Sequence, residues 1–382
     1  MYQLNFYLNA FMANYWQKMP TIISKGFANF IDPISPDELA GLAMEEDIDS
    51  RLVYNSNNQW KVEHGPFENF DHLPKSHTQL IVQAANHWHQ GTHSLAQAFK
   101  CFPGWLFDDV MVCLSLPQGG VGPHIDQYDV FIIQGMGKRY WRVGGKGDYD
   151  EANHSTGICQ IEQFDAILEK EMTSGDILYI PAGFPHEGQS LETSLSYSIG
   201  FRSPKARELF SSFADHIISQ EMGDTHYFDP NMTIRNAHGA IYQDEYQNMI
   251  SMMENLFDNE KIKRQWLGEY LSLSRHELDI AAPDTLYQSD NLYQLLYKGD
   301  KLQKLAGLRA FYHPQSANIL HINGETFEFP KDCSDAAMAL SNLNSVTATD
   351  LGATAIGDPA FIARVTQLVN LGYWYFDECE SS

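Results

Sequence analysis

The residues best suited to chemistry are two histidines and an aspartate from two separate stretches of the chain. His124 and Asp126 lie two positions apart beside a β-like run, and an extended backbone points both side chains to one face. Further along, the stretch Gly175-Asp-Ile-Leu-Tyr-Ile-Pro-Ala-Gly-Phe-Pro-His186 predicts a turn, a short strand and a loop that delivers a second imidazole. Two histidines and one carboxylate form the facial ligand set of non-haem Fe(II), which leaves neighbouring coordination positions open. We therefore predict an iron site at His124, Asp126 and His186, with a hydrogen-bonded turn as the alternative for the His-x-Asp pair alone.

Arg139 and Ser115 are the candidates for binding the far end of a co-substrate. An open iron site can chelate a 2-oxo acid such as 2-oxoglutarate, whose distal carboxylate then needs a cation or hydroxyls. Arg139 follows a predicted hairpin, and its planar guanidinium can form two parallel hydrogen bonds with a carboxylate. Strand alternation sends Lys138 and Arg139 to opposite faces, so only one points inward. Ser115, on the strand before His124, offers a hydroxyl donor. The alternatives are a surface cation for Arg139 and a satisfied core hydroxyl for Ser115.

Short β-rich runs surround these residues and predict an antiparallel barrel or jelly roll. Glycine, proline and aspartate turns separate the runs over about 105–203. The runs cover 110–116, 130–133, 140–143, 177–180 and 194–201. Upstream, Ser35, Pro36 and Glu38 form a capping-box pattern that predicts a helix from about 36 to 45.

The strand pattern stops after Pro204, where apolar residues at helical spacing replace it over about 205–220, 243–257 and 259–273. So few helices do not enclose a core of their own. They bury their apolar faces either against a second copy of the chain or against the barrel, and the sequence leaves both open. A group of three methionines fits such a buried face better than a ligand cluster. These are Met249, Met252 and Met253.

The last part of the chain has a third pattern, which predicts a winged-helix layout. Two β-like runs at 317–322 and 326–329 flank an Asn323-Gly324 turn. Helical runs follow near 334–342, 347–354 and 358–371, and an aromatic strand follows at 373–376. From Asp290 to Ser382 the chain has 11 acidic residues against 6 lysines or arginines. A module this acidic is predicted to contact protein, or to be structural, rather than to read DNA.

The whole chain is strongly negative. Among 382 residues, 25 are Lys or Arg and 49 are Asp or Glu, which gives a formal net charge of -24. Such a surface repels nucleic acid and suits a basic partner. Scattered cysteines without a Cys-x-x-Cys pair, no secretory signal pattern and no long apolar span predict a cytoplasmic protein without a membrane segment. The cysteines are Cys101, Cys113, Cys159, Cys333 and Cys379.

Taken together, the motifs resemble those of the Jumonji C cupin oxygenases and, more narrowly, the bacterial ribosomal oxygenases. The resemblance rests on Tyr15-Trp16-Gln-Lys-Met-Pro20, Asp108-Asp109-Val-Met-Val-Cys-Leu-Ser115, and the stretches 119–131, 138–143 and 175–186. It implies the iron ligands His124, Asp126 and His186. It also implies that Arg139 binds the distal carboxylate of 2-oxoglutarate and that Ser115 assists.

The resemblance implies an architecture as well. The expected fold is mainly β plus α, with a double-stranded β-helix (jelly-roll or cupin) core of Jumonji C type. The family layout places a catalytic cupin domain at 1–204, with its motif core at about 90–200, a helical dimerisation segment at 205–285 and a winged-helix domain at 286–382. A homodimer is therefore expected.

The implied reaction is hydroxylation of an arginine side chain of large-subunit ribosomal protein sixteen, with Fe(II), 2-oxoglutarate and dioxygen as cofactor and co-substrates. A basic ribosomal protein suits the negative charge of the chain. Gln127, Tyr128 and Asp129 follow the metal motif and are candidates for the mouth of the site, with Asp129 as the natural ionic partner of an arginine. The alternatives are a Jumonji-type demethylase, which releases formaldehyde, and a non-catalytic metal-binding cupin module.

Overall fold

The computed structural model describes residues 2–56, 59–153 and 160–376, and the chain divides into two compact units. The first unit contains Met1–Ser203, Ser274–Ala281 and Leu305–Gly307, and the second contains Pro204–Leu273, Ala282–Lys304 and Leu308–Ser382. The strand-rich region falls in the first unit. Most of the predicted helical segment and most of the predicted winged-helix region share the second, so the division into three segments stays a prediction.

The first unit is built on two antiparallel sheets. Its helices are α1 (Leu8–Asn14), α2 (Pro36–Leu42), α3 (Ala85–Trp88) and α4 (Gln90–Ala96). Its strands are β1 (Thr21–Ile23), β2 (Ser50–Ser56), β3 (Gln59–His64), β4 (Thr78–Val82), β5 (Phe107–Ser115), β6 (His124–Ile125), β7 (Asp129–Gln134), β8 (Arg139–Gly144), β9 (Glu151–Asn153), β10 (Gln160–Ile161), β11 (Ala166–Met172), β12 (Ile177–Ile180), β13 (Pro185–Ser190) and β14 (Ser194–Phe201). The larger sheet has the order β1-β12-β7-β14-β5-β4-β2-β3, and the smaller has the order β11-β8-β13-β6-β10-β9. This pair of antiparallel sheets confirms the predicted jelly-roll core.

The local signals in the sequence account for several of these elements. The five β-rich runs lie in β5, β7, β8, β12 and β14. The capping box is formed: the N–H of Glu38 donates to Oγ of Ser35 at 3.3 Å, and the N–H of Ser35 donates to the Glu38 carboxylate at 2.8 Å. Helix α2 begins at Pro36, as predicted, and ends at Leu42, earlier than predicted. Strands β1 to β4, β6, β9 to β11 and β13 were not among the predicted runs.

Strand β7 separates an aromatic core from a cavity. On one side, the ring of Trp16 lies 6.2 Å from that of Phe131 and 5.7 Å from that of Tyr179, between centroids. Both partners are fully buried, and burying one such side chain contributes about 1.5–3 kcal/mol. Val130 and Ile132 alternate with Phe131 and line the cavity on the other side. The alternation of β7 thus fixes which side chains face the cavity.

The second unit begins with three helices, as the apolar spacing predicted. They are α5 (Ala206–Ser219), α6 (Gln243–Phe257) and α7 (Glu260–Ser272). Asn259 caps α7, because its Oδ1 accepts hydrogen bonds from two N–H groups of the first turn at 3.1 and 3.2 Å. The ring of Phe213 stacks on that of Phe257 at 4.3 Å and meets that of Trp266 edge-on at 5.0 Å. These ring contacts join all three helices.

The rest of the second unit has the layout predicted for a winged helix. Its helices are α8 (Ser289–Lys298), α9 (Ser334–Asn342), α10 (Ala348–Ile356) and α11 (Pro359–Asn370). Its strands are β15 (Leu302–Lys304), β16 (Ala310–Tyr312), β17 (Ile319–Ile322), β18 (Glu325–Glu328), β19 (Ser345–Val346) and β20 (Trp374–Phe376). They form two sheets, β19-β15-β20 and β16-β17-β18. Asn323 and Gly324 have φ of 47° and 84°, as the predicted two-residue hairpin turn requires.

Membrane and disulfide features complete the description of the fold. Within the described ranges, every helix is too short or too polar to cross a bilayer. Cys101, Cys113 and Cys333 are free thiols. Cys159 and Cys379 lie outside the described residues.

Candidate active site

His124, Asp126 and His186 come together where β6 meets β13. His124 is the register partner of His186, and the centroids of the two imidazoles are 4.2 Å apart. Asp126 follows β6, and its Oδ2 lies 3.5 Å from Nε2 of His186. One ligand atom from each of the three residues lies within 4.8 Å of the other two. The structure thus brings together the three residues predicted to bind iron.

Each imidazole is oriented by a main-chain carbonyl two residues earlier in the chain. Nδ1 of His124 lies 2.9 Å from the oxygen of Gly122, and Nδ1 of His186 lies 3.0 Å from the oxygen of Phe184. Because a carbonyl only accepts, Nδ1 of each ring carries the hydrogen and Nε2 keeps its lone pair. Gly122 has a φ of +80°, and a Cβ there would lie 2.8 Å from Nε2 of Gln160, so this turn requires glycine. Both rings therefore offer the same nitrogen to a single ion.

Burial keeps His186 neutral. Its side chain is 2% exposed. Burial, and then the neighbouring His124, lowers the pKa of His186 to about 4, although Asp126 opposes this shift. A neutral imidazole is the form that binds a metal ion. Two neutral nitrogen ligands and one anionic oxygen suit Fe(II) better than the all-oxygen sites of Mg²⁺ or Ca²⁺, so the donor set fits iron.

Arg139 is a buried cation that meets no carboxylate among the described residues. It begins β8 and is 3% exposed. Nη1 donates to Oγ of Ser196 at 2.9 Å, and Nη2 donates to Oε1 of Gln79 at 3.1 Å and to the oxygen of Gly188 at 3.0 Å. Nε has no partner in the part of the chain that the structure describes, and burial lowers the pKa of the guanidinium. Because a buried charge without a counter-ion is costly, this position suits an anionic ligand such as the distal carboxylate of 2-oxoglutarate.

Ser115 is linked to Arg139 through Gln79. Ser115 is fully buried on β5, and its Oγ donates to Oε1 of Gln79 at 2.9 Å, the oxygen that also accepts from Arg139. Ser115 does not line the cavity, so a direct bond from Ser115 to a co-substrate stays a prediction. Lys138 points outward and pairs with Glu171 at 3.0 Å, as strand alternation predicted.

A cavity of about 260 Å³, a size suited to a small molecule, is lined by both the triad and Arg139. The smaller sheet contributes the triad histidines, Arg139 and Trp141, and the larger sheet contributes the opposite wall. The unpredicted strands β2, β3 and β4 supply Arg51, Val62, His64, Gln79 and Ile81. Sequence reasoning missed these residues. The sequence does contain a signal for these strands. Alternation of side chains along a strand puts Arg51 with Val53, and Val62 with His64, on one face.

The residues after the metal motif do not all face the cavity. Tyr128 lines it, whereas Gln127 is exposed to solvent. Asp129 points toward the aromatic core: its Oδ1 accepts from the hydroxyl of Tyr179 at 2.8 Å, and its Oδ2 accepts from Nε2 of Gln17 at 3.1 Å. The prediction that Asp129 is the ionic partner of a substrate arginine is therefore wrong, because strand alternation turns it to the face opposite Tyr128.

A second group of carboxylates with an imidazole lies elsewhere in the first unit. Nε2 of His276 lies 3.8 Å from Oδ1 of Asp108 and 4.0 Å from Oδ2 of Asp109. Oδ1 of Asp108 accepts from Nη1 of Arg275 at 3.1 Å, and Oδ2 of Asp109 accepts from the N–H of Ala84 at 2.8 Å. Burial raises the pKa of Asp109 to about 6, although His276 opposes this shift. The oxygens nearest His276 already accept hydrogen bonds.

The fold and the site define a double-stranded β-helix protein of the JmjC class. A sequence model of the JmjC domain matches residues 94–209, and one of the ROXA-like winged helix matches residues 254–375. The chain is 46% identical to the Escherichia coli ribosomal protein uL16 3-hydroxylase over 98% of this chain and 99% of that protein. It is 29% identical to the probable ribosomal oxygenase of Haemophilus influenzae over 75% of this chain and 73% of that protein. The chain belongs to the family of JmjC-domain ribosomal oxygenases.

Solved structures agree with this assignment. The ribosomal oxygenase YcfD from Escherichia coli, in complex with cobalt and 2-oxoglutarate, matches with a TM-score of 0.92 and 46% identity over 99% of this chain and 100% of that chain. A complex of YcfD with cobalt and succinic acid gives the same values. The similarity therefore covers both units of the chain.

Proposed function

We propose that this chain is an Fe(II)- and 2-oxoglutarate-dependent protein hydroxylase that acts on an arginine side chain of ribosomal protein uL16, the large-subunit protein sixteen. The observation that carries the proposal is a facial triad and a buried guanidinium without a counter-ion in the lining of one small cavity. The relatives support it, because the Escherichia coli protein is a uL16 3-hydroxylase and YcfD binds cobalt with 2-oxoglutarate or succinic acid.

The triad holds the metal ion. His124 and His186 each offer Nε2, and Asp126 offers a carboxylate oxygen. Together with 2-oxoglutarate and dioxygen, bound Fe(II) supplies an oxidant that inserts one oxygen atom into a C–H bond, with succinate and carbon dioxide as co-products. The two carbonyls behind the imidazoles keep both rings in the tautomer that can bind the ion.

Arg139 binds the distal carboxylate of 2-oxoglutarate. Its bonds to Ser196 and Gln79 hold the guanidinium in place, and its Nε is a donor that no described residue accepts from. Ser115 assists by fixing the oxygen of Gln79. The ring of Trp141 lies 4.8 Å from the guanidinium carbon, so one face of the cation is shielded from water. The charge therefore acts in a dry environment, where it is strongest.

The substrate class follows from charge and family. A net charge of -24 attracts a basic ribosomal protein and disfavours direct contact with nucleic acid. Tyr128 lines the cavity beside Asp126 and is well placed to contact the substrate side chain. Free thiols at Cys101, Cys113 and Cys333 and a ribosomal substrate fit a reaction in the cytoplasm.

The test is mass spectrometry of uL16 after incubation with the protein, Fe(II), 2-oxoglutarate and air. We expect one added oxygen atom on an arginine and an equivalent amount of succinate, both absent with Asp126→Ala. Release of formaldehyde from a methylated protein, with uL16 unchanged, would identify a demethylase instead. No succinate with any candidate substrate would identify a binding module.

We also propose that the chain forms a homodimer. Several apolar side chains of α5 and α6 are exposed, among them Phe210 at 58%, Ile218 at 72% and Met253 at 52%. Exposed apolar side chains in this number are typical of an interface. We assign dimerisation to 205–285, between a catalytic domain at 1–204 and a winged-helix domain at 286–382. In light scattering, Ile218→Glu is expected to be a monomer and the charge control Gln247→Glu a dimer, and a monomeric wild type would refute this assignment.

A further inference from the structure

Arg51 is a second guanidinium in the cavity, and the proposed reaction gives it no task. It lies on β2 beside Ile81 of β4, which in turn pairs with Cys113 of β5, and all three line the cavity. Arg51 is half-buried. Unlike that of Arg139, its side chain forms no hydrogen bond or ion pair with any residue in the described ranges. Its N–H groups are therefore available to a molecule bound in the cavity.

Charge balance indicates what kind of partner this is. The described residues that line the cavity include one carboxylate, that of Asp126. Fe(II) and Arg139 together offset the charges of Asp126 and of both carboxylates of 2-oxoglutarate. Arg51 then remains as an extra positive charge at a site that receives a cationic arginine. Such a repulsion is acceptable only if the substrate also presents an acceptor to the guanidinium.

Arg51 lies outside the segment of the chain that contains the triad and Arg139. The triad and Arg139 lie within 94–209, the segment matched by the JmjC domain, whereas Arg51 precedes it. Strands β4, β2 and β3 extend the larger sheet beyond β5 and add a wall to the cavity. Asp126 and Tyr128 line the same cavity, so this added wall borders the space in which the triad lies. A wall that comes from outside the JmjC match suits selection of the substrate.

We propose that Arg51 is a specificity-determining residue that donates hydrogen bonds to a main-chain carbonyl oxygen of the polypeptide substrate, next to the hydroxylated side chain. This inference rests on the proposed hydroxylase function. A carbonyl is preferred to a carboxylate, because every polypeptide offers one whereas a basic ribosomal protein has few acidic side chains. The planar guanidinium presents several N–H groups to such an oxygen.

The test measures equilibrium binding without turnover. The probe is the unmodified form of the uL16 peptide in which the assay above finds the added oxygen. The protein is loaded with Mn(II) and 2-oxoglutarate in the absence of dioxygen. We expect Arg51→Met to raise the Kd of the peptide about tenfold or more, because one charge-assisted hydrogen bond is lost. Arg51→Lys is expected to recover part of the affinity. The matched control Lys61→Met removes an equal charge from the exposed face of β3 and is expected to leave the Kd within about twofold.

Binding of 2-oxoglutarate to the same proteins separates the two roles that a cavity cation can have. We expect its Kd to stay within about twofold of wild type in every Arg51 variant. A weaker Kd for 2-oxoglutarate with an unchanged Kd for the peptide would show that Arg51 serves the co-substrate and would overturn the inference. An unchanged Kd for both would overturn it as well. If wild-type protein hydroxylates uL16 in these experiments, such outcomes leave the proposed function intact, whereas a wild type that neither binds nor modifies uL16 refutes both.

The carbonyl itself is tested with peptides in which one amide near the target is replaced by an ester, whose carbonyl is a poorer acceptor. For one of these peptides, the ester is expected to weaken binding to wild type but not to Arg51→Met, which already lacks the donor. The effects of the ester and of the substitution are then not additive. Equal losses in both proteins for every ester peptide would overturn the assignment of a main-chain carbonyl.

Discussion

Two groups in the first unit contain carboxylates and imidazoles whose ligand-type atoms lie within 4.8 Å of one another, and they differ in what surrounds them. In the triad of His124, Asp126 and His186, each imidazole donates through Nδ1 to a carbonyl and keeps Nε2 free in the lining of a cavity. In the group of Asp108, Asp109 and His276, the nearest oxygens already accept from the protein itself. Proximity of ligand types is common to both groups, and Nε2 of His276 also lacks a hydrogen-bond partner among the described residues, but a cavity with space for a ligand is lined by the triad.

The charges around the two groups also distinguish a metal site from a structural cluster. Burial keeps His186 neutral, with a pKa of about 4, so its nitrogen is free of a proton at pH 7. Asp108 is paired with Arg275, a fixed cation that competes with any metal ion. Asp109 is so poorly hydrated that its pKa rises to about 6. The first group is therefore suited to bind a cation, and the second is a structural ion-pair network.

The largest expected effect is the loss of the metal site. Asp126→Ala removes the one anionic ligand, so we expect the affinity for Mn(II), measured by electron paramagnetic resonance, and the turnover of 2-oxoglutarate to fall by more than about 100-fold. Asp108→Asn is the matched control and should bind one Mn(II) per chain, as wild type does. A second Mn(II) in wild type that disappears with Asp108→Asn would show that the comparison is wrong.

The next effect concerns Arg139, the cation of the same cavity. Arg139→Met leaves the distal carboxylate of 2-oxoglutarate without its partner in a dry site, and we expect the KM for 2-oxoglutarate to rise by about 100-fold or more. With Mn(II) bound, 2-oxoglutarate should raise the Tm of wild type but not of this variant. Lys138→Met, one residue away and facing solvent, should retain the wild-type KM. Equal KM values for the two variants would contradict the role of Arg139.

Strand alternation shows how far the sequence could predict this site. His124 and Asp126 share a face because they lie two apart, and Arg139 points inward because Lys138 points outward. Asp129 shows the limit of charge as a guide: its carboxylate suits an arginine, but alternation from Asp126 through Tyr128 turns it to the opposite face. Local patterns also predicted α2 through its capping box and the hairpin turn at 323–324. These elements have their cause in adjacent residues.

Features that depend on distant pairing could not be predicted in this way. Gln79 reaches Arg139 because β4 pairs with β5, and Arg51 reaches the cavity because β2 pairs with β4. No local pattern states which strand a given strand will join. His276 meets Asp108 and Asp109 from a still more distant segment, Ser274–Ala281, which belongs to the first unit. Sequence reasoning therefore identified the chemistry of the site and missed one of its walls.

A smaller effect is expected in the pH dependence of stability. The pKa of Asp109 is raised in the folded chain, from 3.8 to about 6, so the folded state holds a proton that the unfolded state releases first. The stability that this proton provides is complete below pH 3.8 and is lost as the pH rises to about 6. Asp109→Asn keeps the neutral form at every pH. We therefore expect the free energy of unfolding of wild type, relative to this variant, to fall by about 1 kcal/mol between pH 5 and 7.

The measurement for Asp109 is urea unfolding of metal-free protein at several pH values, with wild type and Asp109→Asn compared at each. A difference between the two proteins that rises with pH would contradict the raised pKa. His276 provides an internal check, because it opposes the shift. In His276→Gln the pKa of Asp109 should be higher still, so stability should be lost at a higher pH than in wild type.

A further effect on stability separates a partly buried ion pair from an exposed one. Nη1 of Arg275 lies 3.1 Å from Oδ1 of Asp108, and the two side chains are 23% and 12% exposed. Arg275→Met leaves that carboxylate with one donor fewer in a poorly hydrated place, so we expect the free energy of unfolding to fall by about 1–2 kcal/mol. Lys138→Met breaks a pair of similar length whose side chains are 49% and 47% exposed, and should change the free energy of unfolding less than Arg275→Met does. Mn(II) binding should be unchanged in both variants. If Arg275→Met instead created a second Mn(II) site, the arginine alone would be what keeps the group of Asp108, Asp109 and His276 from binding metal, and the distinction between the two groups would reduce to a single side chain.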